Sequence, residues 1–188
     1  MLDMPGAGAW LVAFLAVQRL AELALARSNT ARLRMAGAVE FGAAHYPFVV
    51  ALHVCWLAAL WVFGHGSPLS MPWLAVFAAL QAARVWVIVS LGRRWTTRVL
   101  VLPGAGPVAS GPYRWLRHPN YAVVVLEIAV APLVLGLPML ALIFSVANAV
   151  MLWWRIGVEN AALAWAAGAE RASGEENPPT LANAGSRR

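Results

Sequence analysis

The chain has 188 residues, of which 61% are hydrophobic and 12% are charged, and its formal net charge is +6. Soluble domains carry about a quarter charged residues, so this composition excludes an ordinary soluble domain. A basic charge can indicate nucleic-acid binding, but every basic side chain here is an arginine, and most of them lie in short loops between apolar runs, which is typical of membrane topology. We therefore expect no nucleic-acid partner. The single cysteine, Cys55, excludes an internal disulfide and a cysteine-based metal site, and we expect no metal.

Five apolar segments approach the length of a membrane span, which is about 20 residues. In chain order they cover residues 8–26, 46–63, 71–91, 119–136 and 138–157. The sequence therefore predicts an all-α polytopic membrane protein with about five transmembrane helices. We expect residues 1–170 to form a single integral membrane domain, and the polar segment 171–188 to be a disordered tail.

The arginine distribution predicts the orientation of these spans. The first loop (27–45) and the third loop (92–118) hold most of the arginines, whereas the second loop and the turn at 136–138 hold none. The positive-inside rule therefore places the first loop, the third loop and the C-terminus in the cytoplasm. With an odd number of spans, the N-terminus lies outside.

Several ionisable residues fall inside the predicted spans, where a charge is costly and often functional. Arg19 and Glu22 are three residues apart on the first helix, so they share a face, and we interpret them as a structural ion pair that holds helices together. Arg84 and Glu127 either pair in the same way or line a cavity. The residues alone leave both interpretations open.

The third loop leads into the fourth helix through the sequence LPGAGPVASGPYRWLRHPNY, residues 102–121. Arg117 and His118 directly precede Pro119 at the helix start, where free N–H groups and the helix dipole favour an anion. Asn120 and Tyr121 add polar groups to the first turn. The same residues would equally suit an interfacial anchor, with the arginine reaching toward headgroups.

The fifth span carries the counterpart of this segment. Arg155 and Glu159 are four residues apart, so they lie on one face of the helix. Because the turn between the fourth and fifth helices is very short, the two helices are antiparallel neighbours and their cytoplasmic ends meet. We therefore expect Arg155 and Glu159 to approach Arg117, His118 and Tyr121. A simple surface ion pair is the alternative.

The segment GPYRWLRHPNY, followed by two helices and RIGVEN, resembles the isoprenylcysteine carboxyl methyltransferase family, which is related in this region to phospholipid methyltransferases. The likeness covers residues 92–165, and the RHPxY element with a downstream R-x-x-x-E carries it. The first three spans, with QRLAEL and GAVEFGAAHYP, are most similar to a bacterial branch associated with O-methylation of polyketides such as alkylpyrones and alkylresorcinols. The resemblance implies a protein of the bacterial cytoplasmic membrane.

The resemblance also implies an S-adenosylmethionine-dependent methyltransferase, with a cytoplasmic cofactor pocket formed by the last two helices and the preceding loop. Arg155 would face the methyl acceptor, and His118 or Tyr121 is the nearest general base for an acceptor that needs one. In the family a second acidic residue usually follows the one that corresponds to Glu159, but here Asn160 stands at that position. The implied cofactor-binding residues are Ala105, Gly106, Pro107, Val108, Tyr113, His118, Pro119, Asn120, Tyr121 and Glu159.

The expected acceptor is a lipophilic or lipid-like molecule that reaches the site from the bilayer. An alkylpyrone- or alkylresorcinol-like phenol or enol, or a prenylcysteine-like carboxylate, would serve. Three alternatives stay open: a phospholipid or amine methyltransferase, an NADPH-dependent membrane reductase with a similar RHPxY segment, and a non-enzymatic membrane partner protein.

Overall fold

The computed structural model describes residues 6–106 and 108–175 of the chain. Within them lie five α-helices, three single-turn 3-10 helices and one short two-stranded ribbon. The protein is therefore all-α, as predicted. The helices are α1 (Ala7–Met35), α2 (Tyr46–Gly64), α3 (Met71–Leu91), α4 (Pro119–Val134) and α5 (Pro138–Glu175), and the strands are β1 (Val39–Phe41) and β2 (Val99–Val101).

Among the described helices, α1, α2, α3 and α5 are long and apolar enough to cross a bilayer. Helix α4 has 16 residues and is shorter than these. Its length is about 24 Å, compared with about 30 Å for a typical hydrocarbon core. The protein is thus a polytopic membrane protein in which the fourth predicted span is short. A tight turn at Gly136, whose φ is +71°, follows it and leads directly into α5.

Two helices extend beyond the predicted spans. Helix α1 continues to Met35, although a loop was expected from residue 27. Helix α5 continues to Glu175, five residues into the segment expected to be a tail, and residues 176–188 lie outside the described part of the chain. The α1 extension holds three arginines and the α5 extension is rich in alanine, and both residue types are good helix formers. The α1 extension is also held by Asn29, whose amide donates to the carbonyl oxygens of Gly92 (3.2 Å) and Trp95 (2.9 Å).

Helix α4 lies at the centre of the bundle and packs against both α3 and α5. The apolar core forms where α1 and α2 meet it, and its fully buried side chains include Leu15, Trp56, Leu60 and Ile128. The short helix therefore brings the residues at its N-terminal end into contact with α5 and with the third loop.

Four charged side chains form an intramembrane ion cluster, which consists of Arg19, Glu22, Arg84 and Glu127. Arg84 from α3 donates hydrogen bonds to Glu22 of α1 and to Glu127 of α4. Arg19 lies 3.0 Å from Glu22 and 2.7 Å from Glu127. The predicted pairing of Arg19 with Glu22 is therefore present, and Arg84 and Glu127 also pair. Two arginines and two glutamates balance each other, and together they join three helices.

We expect Arg84→Met to destabilise the fold strongly. The two carboxylates of Glu22 and Glu127 would lose the guanidinium that lies between them. Removing one partner of a buried ion pair typically lowers the free energy of unfolding by about 3–5 kcal/mol. For a chain of this size we expect the melting midpoint in detergent to fall by roughly 10 °C. Arg93→Met is the matched control, because Arg93 is an exposed arginine just after the same helix. An equal midpoint for both variants would show that the cluster does not hold the helices together.

The ribbon joins the first loop to the third loop. Strands β1 and β2 are antiparallel, with Glu40 opposite Leu100. The Glu40 carboxylate accepts hydrogen bonds from Arg34 and Arg98. Burial alone would raise the pKa of Glu40, but the hydrogen bonds from the two arginines outweigh it and hold the pKa below its usual value. The ribbon was not predicted, because two three-residue strands carry too little periodicity to be recognised.

The lowered pKa of Glu40 makes the ribbon sensitive to acid. Its folded pKa lies below the unfolded value of 4.5. The ionised carboxylate therefore stabilises the fold above that value, and the contribution is lost as the pH falls through the folded pKa. We expect Glu40→Gln to lower the melting midpoint modestly at neutral pH, with a difference that shrinks toward about pH 3. A difference independent of pH would contradict this account.

Candidate active site

The first turn of α4 sets two aromatic side chains side by side. Pro119 is the first residue of the helix, where its missing N–H costs no hydrogen bond, and His118 precedes it. Tyr121 follows within the same turn, and its backbone N–H donates to the His118 carbonyl oxygen (3.1 Å). The rings of His118 and Tyr121 stack with their centroids 5.3 Å apart and their planes 15° apart.

Helix α5 presents Arg155 and Glu159 to this pair. The Tyr121 hydroxyl donates to the Glu159 carboxylate and accepts from Nε of Arg155 at 3.0 Å. Nδ1 of His118 lies 3.6 Å from Oε1 of Glu159. We call these four residues the Tyr121 cluster. The first turn of α4 and the Arg155–Glu159 face of α5 thus lie together, as the short turn between the two helices predicted.

The third loop holds Arg155 from a second direction. Nη2 of Arg155 donates to the carbonyl oxygen of Thr97 (2.9 Å), and the Thr97 hydroxyl lies 3.2 Å from the hydroxyl of Tyr46 on α2. The guanidinium of Arg98 lies 4.1 Å from the centre of the Tyr46 ring. Arg155, which is only 9% exposed, is therefore fixed between α4, α5 and the third loop.

Two cavities meet at the Tyr121 cluster. The first, which we call the loop cavity, has a volume of about 190 Å³ and lies between the third loop and the facing ends of α4 and α5. The second, which we call the helix cavity, has a volume of about 350 Å³ and is lined mainly by apolar side chains of α1, α2, α4 and α5. The residues that line both cavities are Thr96, Asn120, Tyr121 and Arg155.

The predicted site residues differ in their relation to the loop cavity. Those that line the loop cavity are Tyr113, His118, Asn120, Tyr121, Arg155 and Glu159. Ala105, Gly106 and Val108 do not line this cavity. Arg94 does line it, and its side chain donates a hydrogen bond to the Gly106 carbonyl oxygen (2.8 Å). Pro119 is buried as the first residue of α4, and Pro107 lies outside the described residues.

The loop cavity combines groups of both charges. Glu159 supplies a carboxylate, and four arginines that line the cavity supply positive charge: Arg94, Arg98, Arg117 and Arg155. Burial and, next, the nearby Glu159 charge raise the pKa of Tyr113, so its phenol stays neutral and remains a hydrogen-bond donor. Such a set suits a ligand that carries both an anionic and a cationic group.

Two lining residues, Arg94 and Arg98, carry a topology signal in the sequence, and nothing in the sequence places them at the site. Their placement depends on contacts between distant segments, such as that of Arg98 with Glu40 of β1. No spacing in the sequence therefore connects them with RHPNY or with Glu159. Asn160, the neighbour of Glu159, is exposed and lines neither cavity.

Comparison with known proteins relates this site to a family. Residues 73–165 match the sequence model of the isoprenylcysteine carboxyl methyltransferase (ICMT) family, a range that contains the whole Tyr121 cluster. The chain is also 43% identical over 158 residues to the uncharacterized protein YpbQ of Bacillus subtilis (strain 168), which covers 81% of this chain and 94% of that protein. No solved structure matches the chain.

Proposed function

Because the chain belongs to the isoprenylcysteine carboxyl methyltransferase family, it is a membrane methyltransferase, and we propose that it transfers the methyl group of S-adenosylmethionine to an oxygen of a lipophilic acceptor. The observation that carries this proposal is the wall shared by the two cavities. The loop cavity has charged and polar side chains in its lining, the helix cavity is mainly apolar, and Tyr121 and Arg155 face both. A polar cofactor and a lipid-like acceptor bound on either side would meet there.

The loop cavity is the proposed cofactor site. Methyltransferases of this family use S-adenosylmethionine, which supplies an electrophilic methyl carbon when bound. The donor set fits its groups. Arginines such as Arg94 and Arg98 would hold the carboxylate, and Glu159 would hold the ammonium group. The stacked rings of His118 and Tyr121 provide a face for a cation such as the sulfonium.

The helix cavity is the proposed acceptor site. Two residues that line it, Leu20 on α1 and Val54 on α2, are 67% and 58% exposed and lie on the outer surface of the bundle. The cavity therefore reaches the surface between α1 and α2, which faces lipid in a membrane. An acceptor would enter there from the bilayer. The arginine distribution predicts that the loop cavity faces the cytoplasm, from which the cofactor comes.

Arg155 is the proposed binding group for the reacting oxygen. In the described part of the chain it makes no salt bridge, and its hydrogen bonds go to the neutral Tyr121 hydroxyl and the Thr97 carbonyl. A buried guanidinium without a carboxylate partner favours an anion, and a phenolate, enolate or carboxylate on the shared wall would provide one. A carboxylate needs no base, whereas a phenol or enol would lose its proton to His118.

The positive charge of Arg155 also ranks the possible acceptors. It favours an oxygen anion over the amine of a phospholipid headgroup, which is cationic at neutral pH. We therefore favour a phenol, enol or carboxylate and treat amine methylation as the alternative. A reductase would instead bind NADPH in the loop cavity, and a partner protein without enzymatic activity would bind neither cofactor.

Transfer of labelled methyl from S-adenosylmethionine tests this proposal. The purified protein in detergent would be incubated with an alkylresorcinol, a farnesylated cysteine and phosphatidylethanolamine. Label in the resorcinol or the cysteine ester is the expected result. Label only in the phospholipid would move the acceptor class to amines. Label in none of the three, with folded protein that binds NADPH, would overturn the proposed function.

A further inference from the structure

The helix cavity has a second polar region, distant from Arg155. Asn148 of α5 and His53 of α2 line it. Tyr46 and Arg155 both contact Thr97, so they lie at a similar level of the bundle. Asn148 is seven residues before Arg155 on α5, and His53 is seven residues after Tyr46 on α2. Seven residues of α-helix span about 10 Å, so both helices place this polar region at the same depth. The lining between the two levels is apolar and includes Val49, Val124, Met151 and Leu152.

Asn148 is a buried amide with an unused donor. The residue is 3% exposed, and its Nδ2 has no hydrogen-bond partner among the described residues. A buried donor without a partner lowers stability, and an apolar side chain of similar shape would avoid that cost. A buried polar group that lacks a hydrogen-bond partner beside a cavity therefore points to a ligand at that position.

His53 supplies the complementary acceptor. Its Nδ1 lies 2.9 Å from the carbonyl oxygen of Val49. Because a carbonyl oxygen only accepts, Nδ1 carries the hydrogen, and Nε2 of the neutral ring is then an acceptor. The Asn148 amide offers the donor. A hydroxyl group both donates and accepts, so it can use the two side chains together.

The neighbouring charges indicate that the bound group is neutral. Arg19, Glu22 and Arg84 of the intramembrane ion cluster also line the helix cavity. With Glu127 they form a balanced set of two positive and two negative charges. This end of the cavity therefore has no excess charge to bind an anion or a cation, unlike the wall at Arg155.

We infer that the methyl acceptor carries a neutral hydroxyl group on its apolar portion, about 10 Å from the oxygen that is methylated, and that Asn148 and His53 bind this hydroxyl. The inference rests on the proposed function and narrows its acceptor to a hydroxylated lipophilic molecule. Asn148 is then a specificity-determining residue, because an acceptor without the hydroxyl leaves its amide unpaired.

A set of alkylresorcinols that differ only in the position of one chain hydroxyl, including a compound without it, tests the inference. We expect wild type to favour the compound with the hydroxyl about 10 Å from the phenolic oxygen by roughly tenfold or more in kcat/KM. In Asn148→Leu this ratio should fall to near one. Ser145→Ala, which alters a polar residue one turn away that lines neither cavity, should keep the ratio.

Two results would overturn the inference: equal kcat/KM for all positions in wild type, or a preference that survives in Asn148→Leu. A melting midpoint of Asn148→Leu at or above wild type is expected and excludes misfolding as the cause. If no compound is methylated, the proposed function fails instead. Stabilisation of wild type by the same compounds then decides the inference, since only the matched hydroxyl should raise the midpoint more than the plain chain does.

Discussion

Replacing Arg155 by alanine is expected to lower kcat/KM for methyl transfer by roughly 100- to 1000-fold, the usual effect of removing one donor from a preorganised anion site. Arg155 is buried, lines both cavities and has no carboxylate in salt-bridge contact within the described chain. Its charge is therefore available to the reacting oxygen. Steady-state rates with an alkylresorcinol acceptor give the measurement.

Two further variants distinguish the role of Arg155 from a general effect of charge. Arg155→Lys keeps the charge but loses the planar donor pair, so its rate should lie between those of wild type and Arg155→Ala. Arg114→Ala removes an exposed arginine of the third loop that lines neither cavity, and it should react as wild type does. A wild-type rate for Arg155→Ala would mean that the acceptor oxygen is held elsewhere.

Replacing Glu159 by glutamine is expected to weaken binding of S-adenosylhomocysteine by roughly 10- to 100-fold, since a hydrogen bond to a charged group contributes about 1.5–3 kcal/mol. Among the described residues that line the loop cavity, Glu159 is the only acid. Glutamine keeps the shape of the side chain and removes its charge, so the contact with Tyr121 survives in part. Equilibrium dialysis with labelled ligand would give the two affinities.

Asn160→Ala serves as the neighbouring control. Asn160 is exposed and lines neither cavity, so its replacement should leave the affinity unchanged. If Glu159→Gln bound as tightly as wild type while Asn160→Ala did not, the cofactor would contact the other side of α5.

The sequence predicted helices most accurately where glycine and proline delimit them. Helix α3 begins and ends at the predicted residues, and α2 differs at one end by a single residue. The ends of α1 and α5 were less predictable. Beyond the apolar run each helix continues on good helix formers, and hydropathy alone gives no reason to extend the span.

The site was predictable where it depends on local geometry. The short turn at Gly136 makes α4 and α5 neighbours, and the four-residue spacing places Arg155 and Glu159 on one face, so their approach to Tyr121 follows from sequence. The two cavities and their shared wall did not follow from it. They depend on helix packing and on the pairing of Glu40 with Arg98, which join segments distant in the chain.

In the intramembrane ion cluster, too, the contact within one helix was predictable and the contacts between helices were not. The contact between Arg19 and Glu22 is a three-residue spacing within one helix, which the sequence reveals. The position of Arg84 between Glu22 and Glu127 depends on the packing of α1, α3 and α4. Sequence periodicity carries no information on which faces of different helices meet.

Calorimetric titration of S-adenosylhomocysteine into the wild-type protein in detergent tests the central claim most directly. We expect a saturable heat with one site per chain, since the loop cavity combines arginines, Glu159 and the stacked rings of His118 and Tyr121 in one place. The absence of any binding heat, from protein that still unfolds cooperatively on heating, would contradict the assignment of this cavity to the cofactor.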